Sequence, residues 1–202
     1  MTDVAPEACV GDVVAVTQLV LKERQSRDRG WWDITAECFH PESTVELSWF
    51  RGSGAEFVAS SAKNVRPESR PIHRIGPPAV RLCGERAVAE NSGAIAVRRV
   101  LGGVEADMVS YVRGLYRCER HGGQWLIRSL IAIYEWDTLT PVVPGTELHV
   151  PREELERFRP SYRFLAYVMS LRGVTLGDDL YGEDRPEPLA QLYEAAHAWL
   201  RE

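Results

Sequence analysis

Apolar and polar positions along the chain fall into two regimes, the first with a helical period. Val13, Val16, Val20 and Leu21 recur at helical spacing over 12–27, and Lys22, Glu23, Arg24 and Arg27 crowd the later turns. Gly30 fits a helix stop, with a second short helix expected from Trp31 to about Phe39. His40-Pro41-Glu42-Ser43 reads as a break. The β-branched and aromatic residues of 44–50 then predict a strand. Arg51-Gly52-Ser53-Gly54 reads as a turn. Beyond it, Ser53 and Glu56 stand at capping-box spacing ahead of a helix carrying Ala55, Phe57, Val58 and Ala62. The polar stretch 64–71 is expected to be a loop.

From His73 onward the pattern turns to β. Runs at about 72–83, 86–100, 105–119 and 124–136 are separated by Gly84-Glu85, Gly102-Gly103 and Gly122-Gly123, which predicts an antiparallel meander. In the third run Met108, Ser110, Val112, Gly114 and Tyr116 share one face, while Val109, Tyr111, Leu115 and Arg117 share the other. Neither face is cleanly polar. That suits a curved sheet covered on one side, with the other lining a cavity or a subunit contact. After Pro141-Val142-Val143-Pro144-Gly145, helices are expected at 161–172 and 188–200, with an acidic loop at 177–184 between them. Helices followed by a curved antiparallel sheet define an α+β fold able to enclose an apolar cavity.

Bulk composition narrows the function classes. The 202 residues suffice for one domain, or one domain plus an appendage. Lys plus Arg is 24 and Asp plus Glu is 29, and 24 − 29 = −5 gives no electrostatic case for nucleic acid. No segment reaches the roughly 18 apolar residues of a membrane span. The acidic start, Met1 to Glu7, lacks the basic region of a signal peptide. Cys9, Cys38, Cys83 and Cys118 are widely spaced, which reads as reduced thiols in a cytoplasmic protein. His40, His73, His121, His149 and His197 are scattered, so neither a metal nor another cofactor is expected.

Two polar positions carry the candidate chemistry. Asp28 ends the first helix, in Ser26-Arg27-Asp28-Arg29-Gly30-Trp31-Trp32, and His73 opens a strand, in Ile72-His73-Arg74-Ile75-Gly76. Together they are the parts of a carboxylate–imidazole dyad that removes a proton from carbon inside an apolar pocket. Each also fits a plainer role. Asp28 can be a solvated residue closing a helix, although a carboxylate at that end opposes the macrodipole. His73 can be a hydrogen-bonded strand histidine. Trp31 and Trp32 read as core and interface aromatics.

The order of elements and these two contexts resemble the SnoaL-like branch of the nuclear-transport-factor-2-like superfamily. Within it they resemble the subset containing scytalone dehydratase and hexachlorocyclohexane dehydrochlorinase. The resemblance covers about 10–140 and leaves 141–202 as a C-terminal helical extension. It implies a cone-shaped α+β barrel in which Asp28 matches the helix aspartate and His73 the catalytic histidine. Ser110 falls near a pocket serine, and the segment from Ser110 through Tyr116 to Gly123-Gln124-Trp125 resembles the penultimate hairpin. There are departures. Val97 stands near a second pocket histidine, Arg27 and Leu47 replace two tyrosines, and Val112 replaces an asparagine.

The activity so implied is that of a cofactor-independent lyase of dehydratase type, or an isomerase, acting on a small, mostly apolar carbonyl compound. The alternative is a non-catalytic module that binds a small molecule or a protein with the same cone. In the enzymatic reading His73 takes the proton while Asp28 accepts a hydrogen bond from its other nitrogen. Ser110, Trp32, Tyr111 and Tyr134 carry donors suited to a developing oxyanion. Apolar positions on the outer sheet face lead to an expectation of self-association, as a homodimer or homotrimer.

Overall fold

The computed structural model describes residues 8–64 and 71–202, so most of the loop expected at 64–71 lies outside the described residues. Helix α1 (Ala8–Arg29) ends where Gly30 takes φ +74° and the Trp31 N–H reaches back to the Ser26 carbonyl at 2.8 Å. That bond satisfies a carbonyl the helix end would leave open. Helix α2 (Trp32–Ala36) follows directly.

Strand β1 (Phe39–Leu47) starts earlier than the sequence suggests, and the expected break at His40-Pro41-Glu42-Ser43 lies inside it. The register with β7 (Gln124–Pro141) slips between Phe39↔Ile127 and Thr44↔Ser129. The slip is a bulge, which accommodates a proline that cannot donate to a ladder. Strand β2 (Phe50–Ser53) pairs back on β1, so the expected turn there is hairpin strand. Helix α3 (Gly54–Asn64) begins with the expected capping box. Glu56 Oε2 accepts from the Ser53 N–H at 2.9 Å, and Ser53 Oγ accepts from the Glu56 N–H at 3.3 Å.

The expected run 72–83 divides at Gly76-Pro77-Pro78 into β3 (Ile72–Ile75) and β4 (Ala79–Cys83). Both pair antiparallel with β5 (Arg86–Leu101). Strands β5, β6 (Val104–His121) and β7 form the meander, with β7 running on to Pro141. The sheet order is β2-β1-β7-β6-β5-β3, with β1 parallel to β7. Its inner face packs Ala89, Tyr116, Ile127 and Leu130 against Val16, Val20, Phe39 and Phe57, giving the main core beneath α1 and α3.

The tail adds α4 (Arg152–Leu155), a 3-10 turn at Pro160–Tyr162, α5 (Arg163–Ser170), a two-residue strand β8 (Tyr181–Gly182) beside β7, and α6 (Pro186–Arg201). Helix α6 buries Leu189, Leu192, Ala196 and Leu200 against Val88, Leu115 and Ile133. The outer face, whose apolar positions led to the expectation of self-association, is covered at that point by the chain itself. Helix α5 crosses the other end, setting Tyr167 and Val168 against Val97 and Met108. The Asp137 carboxylate accepts from the Leu165 N–H at 2.7 Å and so holds α5 by its first turn. The acidic loop is tied down by Arg159, whose Nε and Nη2 lie 2.9 and 2.7 Å from the Asp184 carboxylate. Arg51, read as a turn residue, pairs with Asp179 at 2.6 Å and Glu46 at 2.9 Å. Among the described residues no helix is long and apolar enough to cross a membrane.

A glycine is required where α3 meets β1. A Cβ on Gly54 would lie 2.9 Å from Phe39 Cβ and closer still to Ser43 Oγ. Gly54→Ala should therefore cost about 1–3 kcal/mol, the usual price of overpacking, read as a lower urea midpoint at unchanged slope.

Candidate active site

The inner face of α1 decides what the cone contains. A helical period carries the stripe from Val16 and Val20 to Glu23, Arg24, Arg27 and Asp28, so the face that begins apolar ends charged. Glu23 is 0% exposed and Arg24 9%. They form an ion pair at 3.2 Å, and Arg24 Nη2 donates to the Tyr116 hydroxyl at 3.3 Å. Burial opposes the Arg24 charge, but Glu23 and Tyr116 outweigh it and raise its pKa. These residues crowd the helix's later turns because they face the interior, not solvent.

One turn on, Asp28 meets His73. Asp28 Oδ1 lies 2.6 Å from His73 Nδ1, and Oδ2 accepts the His73 backbone N–H at 3.2 Å. Both oxygens therefore hold one residue, fixing ring and backbone together. Burial works against the Asp28 charge, yet the hydrogen bonds from His73 keep its pKa below the ordinary value. The His73 ring is 8% exposed. Burial, together with the nearby Arg24 charge, lowers its pKa to about 4 despite the Asp28 bond. At neutral pH the ring is thus uncharged, with Nδ1–H donating to the carboxylate and Nε2 carrying the lone pair.

The dyad lies on the wall of a cavity of about 520 Å³ between the sheet and its helices. The structure also brings Trp32, Ser110 and Tyr134 to this wall. The Ser110 hydroxyl is buried and has no hydrogen-bond partner among the described residues. Tyr134 accepts from the Ser48 N–H at 2.9 Å, leaving its own proton to donate. Tyr111 is placed elsewhere. It stacks on Trp136 at 4.1 Å on the outer face and does not line the cavity, because alternation along β6 turns it away when Ser110 turns in. Sequence reasoning missed Arg24 and Asn91, and reached Arg27 only through the resemblance, at the position of a pocket tyrosine. Both arginines were also legible as the continuation of the Val16–Val20 stripe. Asn91 lies on the wall opposite Gly114, where a Cβ would come within 2.8 Å of Asn91 Oδ1. Among the described residues no group of three His, Cys, Asp or Glu is placed to hold a metal.

Fold and site together define a class. The SnoaL-like domain pattern matches residues 10–131, more than half the chain, and the protein belongs to that family. Pea pathogenicity protein 2 of Fusarium vanettenii is 28% identical over 204 residues, an alignment covering 94% of this chain and 88% of the relative. A second Fusarium vanettenii protein, described as like the first, is 28% identical over 86% of this chain and 79% of its own length. Among solved structures, a hexachlorocyclohexane dehydrochlorinase superposes with TM-score 0.56 at 15% identity, over 71% of this chain and 96% of its own. A putative scytalone dehydratase from Novosphingobium aromaticivorans gives 0.53 at 14% identity, over 70% and 91%. These likenesses establish a shared fold. The four departures noted in the sequence, Arg27, Leu47, Val97 and Val112, all line the cavity.

The His73 shift has a thermodynamic sign. In the unfolded chain the imidazole binds its proton near pH 6.5; in the folded chain it does so only near pH 4. Between these values the unfolded state holds more protons, so stability rises with pH. The contribution is intact above about pH 6.5 and is lost as pH falls toward 4, amounting to at most about 3 kcal/mol. NMR titration should find the ring neutral at pH 5, and denaturant melts of wild type and His73→Gln should converge as the medium is acidified.

Proposed function

We propose that the protein is a cofactor-independent lyase of dehydratase type, or an isomerase, with His73 as base and Asp28 as the group that orients it. The observation that carries this reading is the 2.6 Å contact between Asp28 Oδ1 and His73 Nδ1 on a cavity wall. His73 Nε2 takes a proton from the carbon next to a carbonyl, and the electron pair passes to the carbonyl oxygen. The ionised Asp28 stabilises the imidazolium so formed. The hydroxyls of Ser110 and Tyr134, which line the cavity, would donate toward the oxyanion. If the substrate carries a β-hydroxyl, the enolate collapses and expels it, and the imidazolium proton leaves with it as water. Without a leaving group the proton is returned to another carbon, and the result is isomerisation. The names of two structural neighbours, a dehydrochlorinase and a putative dehydratase, describe eliminations and support the lyase class.

Proton abstraction can be followed whatever the leaving group. A panel of β-hydroxy ketones incubated in heavy water should lose α-proton NMR signal in the presence of enzyme. His73→Ala should slow exchange by about 10²–10⁴-fold, the usual worth of a general base. Asp28→Asn should also slow it. Undiminished exchange in both variants would remove the dyad from the mechanism. If a ketone binds the wild type and no exchange occurs, the cone is a binding module.

A further inference from the structure

The charges on the cavity wall do not balance once each is matched to its partner. Asp28 is the one carboxylate among the described lining residues, and His73 engages both of its oxygens. Arg24 is answered by Glu23 and Tyr116. Arg113 is answered by Glu90 and Glu135, at 2.9 and 2.7 Å. Arg27 is left. Its guanidinium sits 4.6 Å from the Phe57 ring and 5.5 Å from that of Trp49, and among the described residues no carboxylate forms an ion pair with it.

Aromatic faces stabilise a cation by only about 0.5–2 kcal/mol, well short of what its desolvation costs. Burial, with Arg24 beside it, outweighs the attraction of the Glu23 and Asp28 charges and lowers the Arg27 pKa to about 10, which leaves it charged at neutral pH. It is half-buried and lines the cavity. Lys63 and Arg172, both exposed, add the same sign on the same cavity. The same cavity wall carries the apolar side chains of Leu47, Ile95 and Val112. A guanidinium with donors to spare beside an apolar surface is built to take a carboxylate on a hydrophobic body.

We infer that the substrate is a carboxylate, its anionic group bound by Arg27 and its apolar part set against Leu47, Ile95 and Val112. This narrows the small, mostly apolar carbonyl compound that the sequence led us to expect. For the chemistry it rests on the reading of His73 as base, but the binding it requires is independent of turnover. It also connects to that chemistry. Arg27 precedes Asp28 in α1, and its charge is among those that hold down the basicity of His73. A carboxylate seated on Arg27 offsets that charge, so the base strengthens when substrate arrives.

Calorimetric titration with naphthoate and with naphthamide, its neutral isostere, tests the inference. Wild type should bind naphthoate at least about tenfold tighter, the worth of one charged hydrogen-bonded contact. Arg27→Met should bring the two affinities together without weakening naphthamide, and Arg27→Lys should keep part of the preference. Saturating naphthoate should also raise the His73 pKa in wild type. Equal affinities in the wild type, or a preference that survives in Arg27→Met, would overturn the inference. Should Arg27→Met fail to fold, the wild-type comparison and Arg27→Lys still decide it. α-Proton exchange is measured separately, so a failed preference alongside active exchange sinks the carboxylate assignment alone.

Discussion

Burying charged side chains from the last turns of α1 is the constraint on which the cavity depends. A buried charge is costly unless partners offset it, and for Arg24 and Asp28 part of that offset comes from other elements. Arg24, itself paired with Glu23, reaches Tyr116 on β6. Asp28 reaches His73 on β3, and Arg27 lies against Phe57 of α3. The Arg24–Tyr116 and Asp28–His73 contacts that offset desolvation thus also fix helix to sheet around the site. Stability and chemistry draw on one set of side chains, so neither can be altered alone.

Much of the fold was legible because its signals are local. The glycine turns between long strands, the Ser53–Glu56 capping box and the Gly30 stop each depend on a few neighbouring residues, and each appears where the sequence put it. What misled was also local. Pro41 looks like a breaker, but a bulge against β7 absorbs it, and that partner lies some ninety positions away in the chain. Charge in a helix is read as exposure, so Arg24 was given no role, and Arg27 entered only through the resemblance. The Asp28–His73 pair was reached through the order of its two contexts. Of the expected donors, Ser110 and Tyr111 are adjacent on one strand, and alternation allows only one of them to face the cavity. The covering of the outer sheet face by α6 rests on contacts between segments far apart in sequence, which no window of residues reveals.

The tail changes what the cone is. Leu165, Val168, Met169 and Arg172 line the cavity, yet they lie beyond the 10–131 segment that matches the family. The Asp137 carboxylate and the Arg159–Asp184 clamp hold this part of the wall in place. One side of the binding space is thus supplied by chain outside the matched segment. Likeness within that segment leaves the size and polarity of the space undetermined.

His73 occupies a strand of four residues that, among those described, ends the path of the sheet. A terminal strand presents N–H groups that invite a foreign chain to add itself. Here one such group is already taken, by the second oxygen of Asp28. The carboxylate that orients the base therefore also stands in for an absent neighbouring strand. It gives the margin of the sheet a partner drawn from a helix, and so helps guard the chain against aggregation.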